Sequence, residues 1–429
     1  MSEQNQAPMH KPIISQLAQN MIGSEIIKLA GEVREKMAAG EHIYNLTIGD
    51  FDPAIFPIPA HLSKCIVDAY LNNETNYPEP NGMLPLRKAI AGYLKHFGGL
   101  DYPAADILVS GGARPLIYAT FLALVDPGEK VLFPVPSWNN NHYTFLSHAQ
   151  QVMLETKPEN NFMPTPEELE PLLGDITLLT LCSPLNPTGT VFSKENLSRI
   201  CDLVVNENKR RGPGAKPLYV MFDQIYWALT FGNVKHFDPV TLNPEMRHYT
   251  IFIDGMSKAF AATGVRVGWS FGPSLIIEKM KAILSHVGAW APRAEQIGAA
   301  HYLNQPQFVD EDIQTIRKSL DSRLVAFHKG FQALKSKGFK IDSLEPQGAI
   351  YLTVKFGLHK LKTADGIMLH TTRDITHYLL NKAKLAIVPF YAFGSDDESE
   401  WYRLSVGTCK VEEIPDILRF LEQALAPLH

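Results

Sequence analysis

Leu218-Tyr219-Val220-Met221-Phe222-Asp223-Gln224-Ile225-Tyr226 is the stretch that decides the fold. It opens on five apolar residues and stops at an acid. An uninterrupted apolar run of this length, closed by a polar residue, fits a strand buried on both faces. The same form recurs on either side. Ile107-Leu108-Val109, Lys130-Val131-Leu132-Phe133, Leu178-Leu179-Thr180-Leu181, Ile251-Phe252-Ile253 and Val267-Gly268-Trp269-Ser270-Phe271 all read as short buried strands. Helical patterns separate them. One runs from Leu116 to Val125 and is stopped by Asp126-Pro127-Gly128. Alternation of this kind predicts an α/β layer around a mostly parallel sheet. In such sheets ligands bind beyond the carboxyl ends of the strands.

Outside this region the pattern changes. Phe308 to Lys337 reads as one long amphipathic helix, broken near its end and stopped by Gly338. A strand over Ala349-Ile350-Tyr351-Leu352 follows, then a helix from Thr372 to Lys384, a strand over Arg403-Leu404-Ser405-Val406 and a helix from Glu412 to Leu425. That is an α+β module of its own. Before the α/β region, a helix from Ser24 to Ala39 leads into an extended segment.

Composition bounds what such a chain does. At 429 residues it is long enough for two or three domains and a large core. Hydrophobic residues make up 45% and charged residues 20%, which is ordinary globular material. A net charge of −5 gives no electrostatic case for nucleic acid as the main partner. No apolar run approaches the ~18 residues of a membrane span, and the polar stretch from Met1 to Lys11 lacks the apolar core of an export signal. Cys65, Cys182, Cys201 and Cys409 form no C-x-x-C pair, so reduced thiols and no metal site are expected. The expectation is a soluble, cytoplasmic protein that binds neither nucleic acid nor membrane.

Chemistry collects at the strand ends. Val109-Ser110-Gly111-Gly112-Ala113-Arg114 lies between a strand and a helix. Its small residues let a ligand approach the backbone, and the helix offers free N–H groups to an anion, with Arg114 adding charge. A plain strand–helix turn is the alternative. Ser183-Pro184-Leu185-Asn186-Pro187-Thr188-Gly189 holds Asn186 between two prolines, either to aim its amide or simply to turn the chain. Asp223, at a buried strand end, is costly unless a cation or a donor meets it; capping a helix would serve as well. Ser257-Lys258 follows another buried strand, and Arg266 lies between apolar residues, which predicts partial burial and an anionic partner.

Each of these signals is weak, and their order is strong. An anion loop, an Asn in a proline-rich turn, Asp223-x-x-Tyr226, Ser257-Lys258 and then Arg266 form one series. Together with Leu46 to Pro53, Asn76-Tyr77-Pro78, Gly82, Leu86-Arg87 and Tyr402-Arg403-Leu404-Ser405, the series resembles the class I/II, fold-type-I pyridoxal-phosphate aminotransferases, closest to the aspartate-aminotransferase-like branch. The resemblance runs from about Ser24 to Ala426. It implies the fold-type-I transferase architecture: a large domain around a mostly parallel, seven-stranded-type sheet, with a smaller α+β domain. The boundaries it suggests are an N-terminal arm and part of the small domain over 1–60, the large domain over 61–306 and the rest of the small domain over 307–429.

The resemblance also implies roles. Lys258 would hold the cofactor's aldehyde as a Schiff base and act as general base. Asp223 would keep the pyridine nitrogen protonated. Tyr226 and Asn186 would meet the ring's phenolic oxygen, and Trp138 would stack on the ring. Gly112, Ala113, Arg114, Ser257 and Arg266 would cup the phosphate, with Tyr77 reaching the phosphate of a neighbouring subunit. Arg403, aided by Asn186 and the backbone of Gly49, would take the substrate's α-carboxylate. The implied protein is a homodimer with shared active sites, moving an amino group between an L-amino acid and a 2-oxo acid. Arg293 would offer a cation to a second substrate carboxylate and Trp290 an apolar contact, and either could set side-chain specificity. Some positions depart from the family pattern: Ala113 in the anion loop, Phe390 after Pro389, where it could narrow the substrate mouth, and a long stretch from Leu358 to His370. A carbon–sulfur β-lyase on the same scaffold is the competing activity. A non-catalytic module fused to a DNA-binding domain ranks last, because only about twenty residues precede the family-like region.

Overall fold

The computed structural model describes residues 14–21, 23 and 25–429. Ser24 and the stretch from Met1 to Lys11 lie outside the described residues. The apolar runs form one seven-stranded sheet: β1 (Ile107–Ser110), β2 (Lys130–Val135), β3 (Gln150–Glu155), β4 (Ile176–Cys182), β5 (Tyr219–Asp223), β6 (Thr250–Gly255) and β7 (Gly268–Phe271), in the order β1-β7-β6-β5-β4-β2-β3. All neighbours are parallel except those of β7, which runs against both β1 and β6. Successive side chains of a strand point to opposite faces, and the two faces feed two cores. Val220, Phe222, Phe252 and Trp269 enter one hydrophobic cluster, while Met221, Ile251, Ile253 and Phe133 enter the other. That double burial is why these strands read as unbroken apolar runs. β3, at the edge, has an exposed and half-exposed alternation instead.

A second sheet is antiparallel: β8 (Ile341–Ser343), β9 (Tyr351–Phe356), β10 (Val388–Pro389) and β11 (Trp401–Ser405), in the order β10-β11-β9-β8. The helices Pro306–Ser336, Thr372–Lys382 and Ile414–Leu425 pack with it into one cluster, which also takes in Leu46, Phe51 and Phe56 from near the N-terminus. Tyr44–Asn45 pairs in parallel with Leu385–Ala386, and Ser405 N–H donates to Leu46 O. The segment after Asn45 is thereby tied to the same unit.

Several details differ from the sequence reading. The long helix is continuous from Pro306 to Ser336, with no break near its end; Gly338 follows at a φ of +95°. The strand expected over Ala349 to Leu352 begins at Tyr351. Ala349 sits at a φ of +60°, and Gly348 and Ala349 donate their N–H groups to Gly189 O and Leu229 O. The backbone there turns between loops before the strand starts. The helix after Gly112 starts three residues earlier than its apolar pattern, at Ala113. Among the described residues no helix is long and apolar enough to cross a membrane.

Candidate active site

A cavity of about 440 Å³ opens at the carboxyl ends of β4, β5 and β6. Its walls bring together residues from the whole chain. Ala113, Arg114, Trp138, Asn186, Asp223, Tyr226, Ser257, Lys258 and Arg266 arrive from the large sheet, Gly49 and Asp50 from the N-terminal segment, and Arg403 from β11. Arg266 shows how topology assembles the site. It lies just before β7, and because β7 is the one reversed strand, its beginning shares a sheet edge with the ends of its neighbours.

Lys258 is carried by the short turn Met256–Ala259 immediately after β6. Its Nζ donates to Gly49 O at 2.7 Å. Burial pushes its pKa down to about 8; Asp50 opposes this, while Arg403, Arg114 and Arg266 add to it. Near neutral pH a much larger share of this amine is unprotonated than of an ordinary lysine. Asp223 ends β5. One of its oxygens accepts from Ile225 N–H at 3.0 Å, closing a local turn, and no cation pairs with it among the described residues. Burial pushes its pKa up to about 6.

Arg403 is 2% exposed. Its Nη2 donates to Thr47 O at 2.6 Å and its Nη1 to Asn186 Oδ1 at 3.0 Å. The guanidinium lies 4.6 Å from the Tyr351 ring centre and 4.9 Å from that of Phe393. Its Nε has no partner, and no carboxylate pairs with it among the described residues. A buried guanidinium left with neutral acceptors and a spare N–H is prepared for an anion. Asn186 therefore faces Arg403, and the carbonyl of Gly49 is engaged by Lys258.

On the opposite wall, Arg114 lies over the Trp138 ring at 4.6 Å. Arg266 donates from Nη1 to Thr263 O at 2.8 Å and from Nη2 to Gly111 O at 2.9 Å. The partial burial expected of Arg266 is not found: its side chain is exposed, because it leaves its apolar neighbours behind and crosses the glycine loop. That crossing needs Gly112. A Cβ there would lie 2.2 Å from Arg266 Nη2, and the residue has a φ of +96°. A Cβ on Gly268 would likewise strike the backbone of Gly112 at 2.4 Å.

Other expected residues lie elsewhere. Tyr77 is 83% exposed and packs edge-on against Trp290, outside the cavity of its own chain. Arg293 is bound to Glu74 at 2.6 Å, and neither it nor Trp290 lines the cavity. Phe390 does not narrow the mouth: it is fully buried in a cluster with Phe162, Val388 and Phe393. The stretch from Leu358 to His370 forms a surface loop closed by a bridge between Lys362 and Met368. One residue of the site carries no mark in the sequence beyond its strand. Tyr351 places its hydroxyl 2.7 Å from that of Tyr226, and a Cβ on Gly49 would lie 2.7 Å from the same oxygen. Ile26, Ile27 and Ala30, from the helix Glu25–Ala38, also reach the cavity wall.

The model of the family described as aminotransferase class I and II matches residues 41–421. The chain belongs to the class I and II aminotransferases. It is 30% identical over 419 residues to a probable aspartate/prephenate aminotransferase of Rickettsia felis, covering 96% of both chains. It is 32% identical over 376 residues to a bifunctional aspartate aminotransferase and glutamate/aspartate-prephenate aminotransferase of Petunia hybrida, covering 87% of this chain and 75% of the relative. The crystal structure of the aspartate aminotransferase from Rhizobium meliloti superposes with a TM-score of 0.88 at 25% identity, over 98% of this chain and all of that one. The protein is thus a pyridoxal-phosphate-dependent aminotransferase of fold type I, acting on amino acids and 2-oxo acids.

The residues present fit that cofactor. A phosphate dianion calls for fixed donors, which Ser257, Arg266, Arg114 and the first turn of the helix Ala113–Leu124 offer. A pyridinium calls for an acid without another cation, an aldehyde for an amine of lowered pKa, and a substrate carboxylate for an arginine with an open donor; Asp223, Lys258 and Arg403 answer each.

The glycine loop gives a direct prediction. Gly112→Ala introduces about 1–3 kcal/mol of backbone strain and displaces Arg266. Pyridoxal phosphate titrated into the cofactor-free variant should bind at least about tenfold more weakly than to the parent. Unchanged affinity would contradict the role given to the Gly112–Arg266 contact.

Proposed function

We propose that Lys258, Asp223 and Arg403 are the working centre of the transamination, with the remaining cavity residues holding the cofactor. The observation that carries this reading is the convergence of three ionisable groups in one cavity, each lacking an opposite charge bound directly to it among the described residues. When bound, pyridoxal phosphate supplies an aldehyde that joins the amino group and a pyridinium that withdraws electrons from it. Asp223 would hold the pyridine N–H, the counter-ion it lacks among the described residues, and Trp138 would meet the ring. Asn186 and Tyr226, with Tyr351 behind it, orient the ring's phenolic edge. Gly112, Ala113, Arg114, Ser257 and Arg266 hold the phosphate.

Arg403 binds the substrate α-carboxylate through its guanidinium, with Asn186 Oδ1 and Thr47 O fixing the fork in place. As a free amine in a site that lowers its pKa, Lys258 Nζ would take up the proton lost from the substrate Cα and hold it inside the cavity as an ammonium. Gly49 O accepts from Nζ and orients it. Aspartate and prephenate, after which the relatives are named, are the first substrates to assay.

We infer further that the protein is a cytoplasmic homodimer, with the exposed Tyr77 reaching the phosphate held by its partner. In this reading residues 61–306 form the large cofactor-binding domain, and residues 1–60 and 307–429 the arm and the small domain.

The half-reaction tests the proposed activity against a carbon–sulfur β-lyase. An amino acid added without acceptor should convert the cofactor stoichiometrically to its amine form and release one equivalent of 2-oxo acid. Continuous release of pyruvate and ammonia would favour the lyase. Protein that keeps its cofactor and reacts with no amino acid would favour a binding module. Lys258→Ala should lose turnover while retaining cofactor through the phosphate contacts; surviving turnover would remove Lys258 from its role. Arg403→Ala should lower kcat/KM by about a hundredfold or more for every amino acid, the scale of a lost charge-assisted contact. A loss confined to one substrate would contradict binding of the shared α-carboxylate.

A further inference from the structure

Asp254 is a buried acid with no part in the roles above. Asp254, the fifth residue of β6, is 1% exposed. Its Oδ2 accepts from Trp227 Nε1 at 2.9 Å, and its Oδ1 accepts from Gly255 N–H at 2.7 Å. Trp227 follows Tyr226 in the loop after β5, and Gly255 leads into the turn Met256–Ala259 that carries Lys258. One carboxyl therefore joins two strand ends, and the residues proposed to hold the cofactor's ring and its aldehyde hang from opposite sides of it. The backbone on the Lys258 side has little room to move: a Cβ on Gly255 would lie 2.9 Å from both Gly268 Cα and Val267 O.

We propose that Asp254 is a positioning residue for the aminotransferase reaction, setting the placement of the loop with Asp223 and Tyr226 against the turn with Lys258. This rests on the roles proposed above for Asp223 and Lys258. No lysine, arginine or histidine pairs with Asp254 among the described residues, and its surroundings on that face of the sheet include Tyr93, Trp227 and Phe252. Burial pushes its carboxyl up to about 8, so near neutral pH it is mainly the uncharged acid. That suits the site. A second carboxylate beside Asp223 would raise the cost of ionising Asp223, whereas an uncharged acid accepts from Trp227 and Gly255 without competing for the pyridinium. The adjoining Gln224 leaves its Oε1 without a donor, and the neutral acid carries a proton that such an oxygen can accept.

The contact can be broken from either side. Asp254→Asn keeps size and neutrality but replaces one of the two accepting oxygens by an NH2 donor, which faces either Gly255 N–H or Trp227 Nε1–H without an acceptor. Trp227→Phe removes the donor and leaves the acid. Both variants and their combination are prepared as holoenzyme. The readouts are the dissociation constant of pyridoxal phosphate, the visible absorption band of the bound cofactor and the thermal midpoint of the cofactor-free protein. Each single change is expected to weaken cofactor binding about tenfold, the scale of one lost buried hydrogen bond, and to shift the band. The double variant is expected to lose less than the sum of the two singles, because Asp254 and Trp227 share one contact. Additive losses, or a lower thermal midpoint with affinity and absorption unchanged, would overturn the proposal. Asp223→Asn serves as the control. If it too leaves affinity and absorption unchanged, the site reading itself fails; if only the Asp254 and Trp227 variants are silent, Asp254 alone loses its role.

Discussion

A guanidinium taken out of water must be met by an anion or by neutral oxygens aimed at it, and among the described residues Arg403 has only the second. Thr47 O and Asn186 Oδ1 take two of its donors, and Nε has no partner. Removing a charge from water without an opposite charge is expensive, so the surrounding fold has to hold that arrangement in place. Thr47 lies on the N-terminal segment that is hydrogen-bonded to the antiparallel unit, Asn186 on the loop after β4, and Arg403 on β11. Three distant parts of the chain are thereby committed to one guanidinium.

The same logic applies across the cavity with the sign reversed. Asp223 is an acid whose burial favours the neutral form, and Lys258 an amine whose burial does likewise. Among the described residues, neither is neutralised by the other or by a neighbour in direct contact. The large sheet makes this possible because its strand ends converge on one edge, and the reversal of β7 adds the start of a strand to that edge. The two hydrophobic units meet there as well: Ile225 and Tyr226, just past β5, pack in the cluster of the antiparallel unit with Tyr351 and Leu46. Side chains proposed to hold the cofactor are thus anchored on one core and backed by the other.

The sequence makes part of this readable for a physical reason. A strand buried on both faces has no polar alternation, so a run that ends in Asp223 or leads to Ser257-Lys258 stands out, and the residues just beyond it fall at the ligand-binding edge. β3 does not stand out, because Gln150-Gln151-Val152-Met153-Leu154-Glu155 is half exposed at the sheet's rim. Tyr351 and Asp254 are silent for another reason: their significance lies in partners far along the chain, Tyr226 for one and Trp227 for the other. Arg266 was expected to be partly buried from its apolar neighbours, yet its side chain crosses a glycine that only the folded loop reveals. Phe390, expected at the mouth, is core, because the aromatic cluster of Phe162 and Phe393 offers it more apolar contact than the cavity does.

The central claim is that Asp223, half-buried at the end of β5, is an acid waiting for a pyridinium. Nitrogen-15 spectroscopy of bound pyridoxal phosphate, labelled at the ring nitrogen, tests it most directly. The account predicts a protonated ring nitrogen throughout the neutral range in the parent enzyme and an unprotonated one in Asp223→Asn at the same pH. An unprotonated nitrogen in the parent, or the same signal in both proteins, would contradict it.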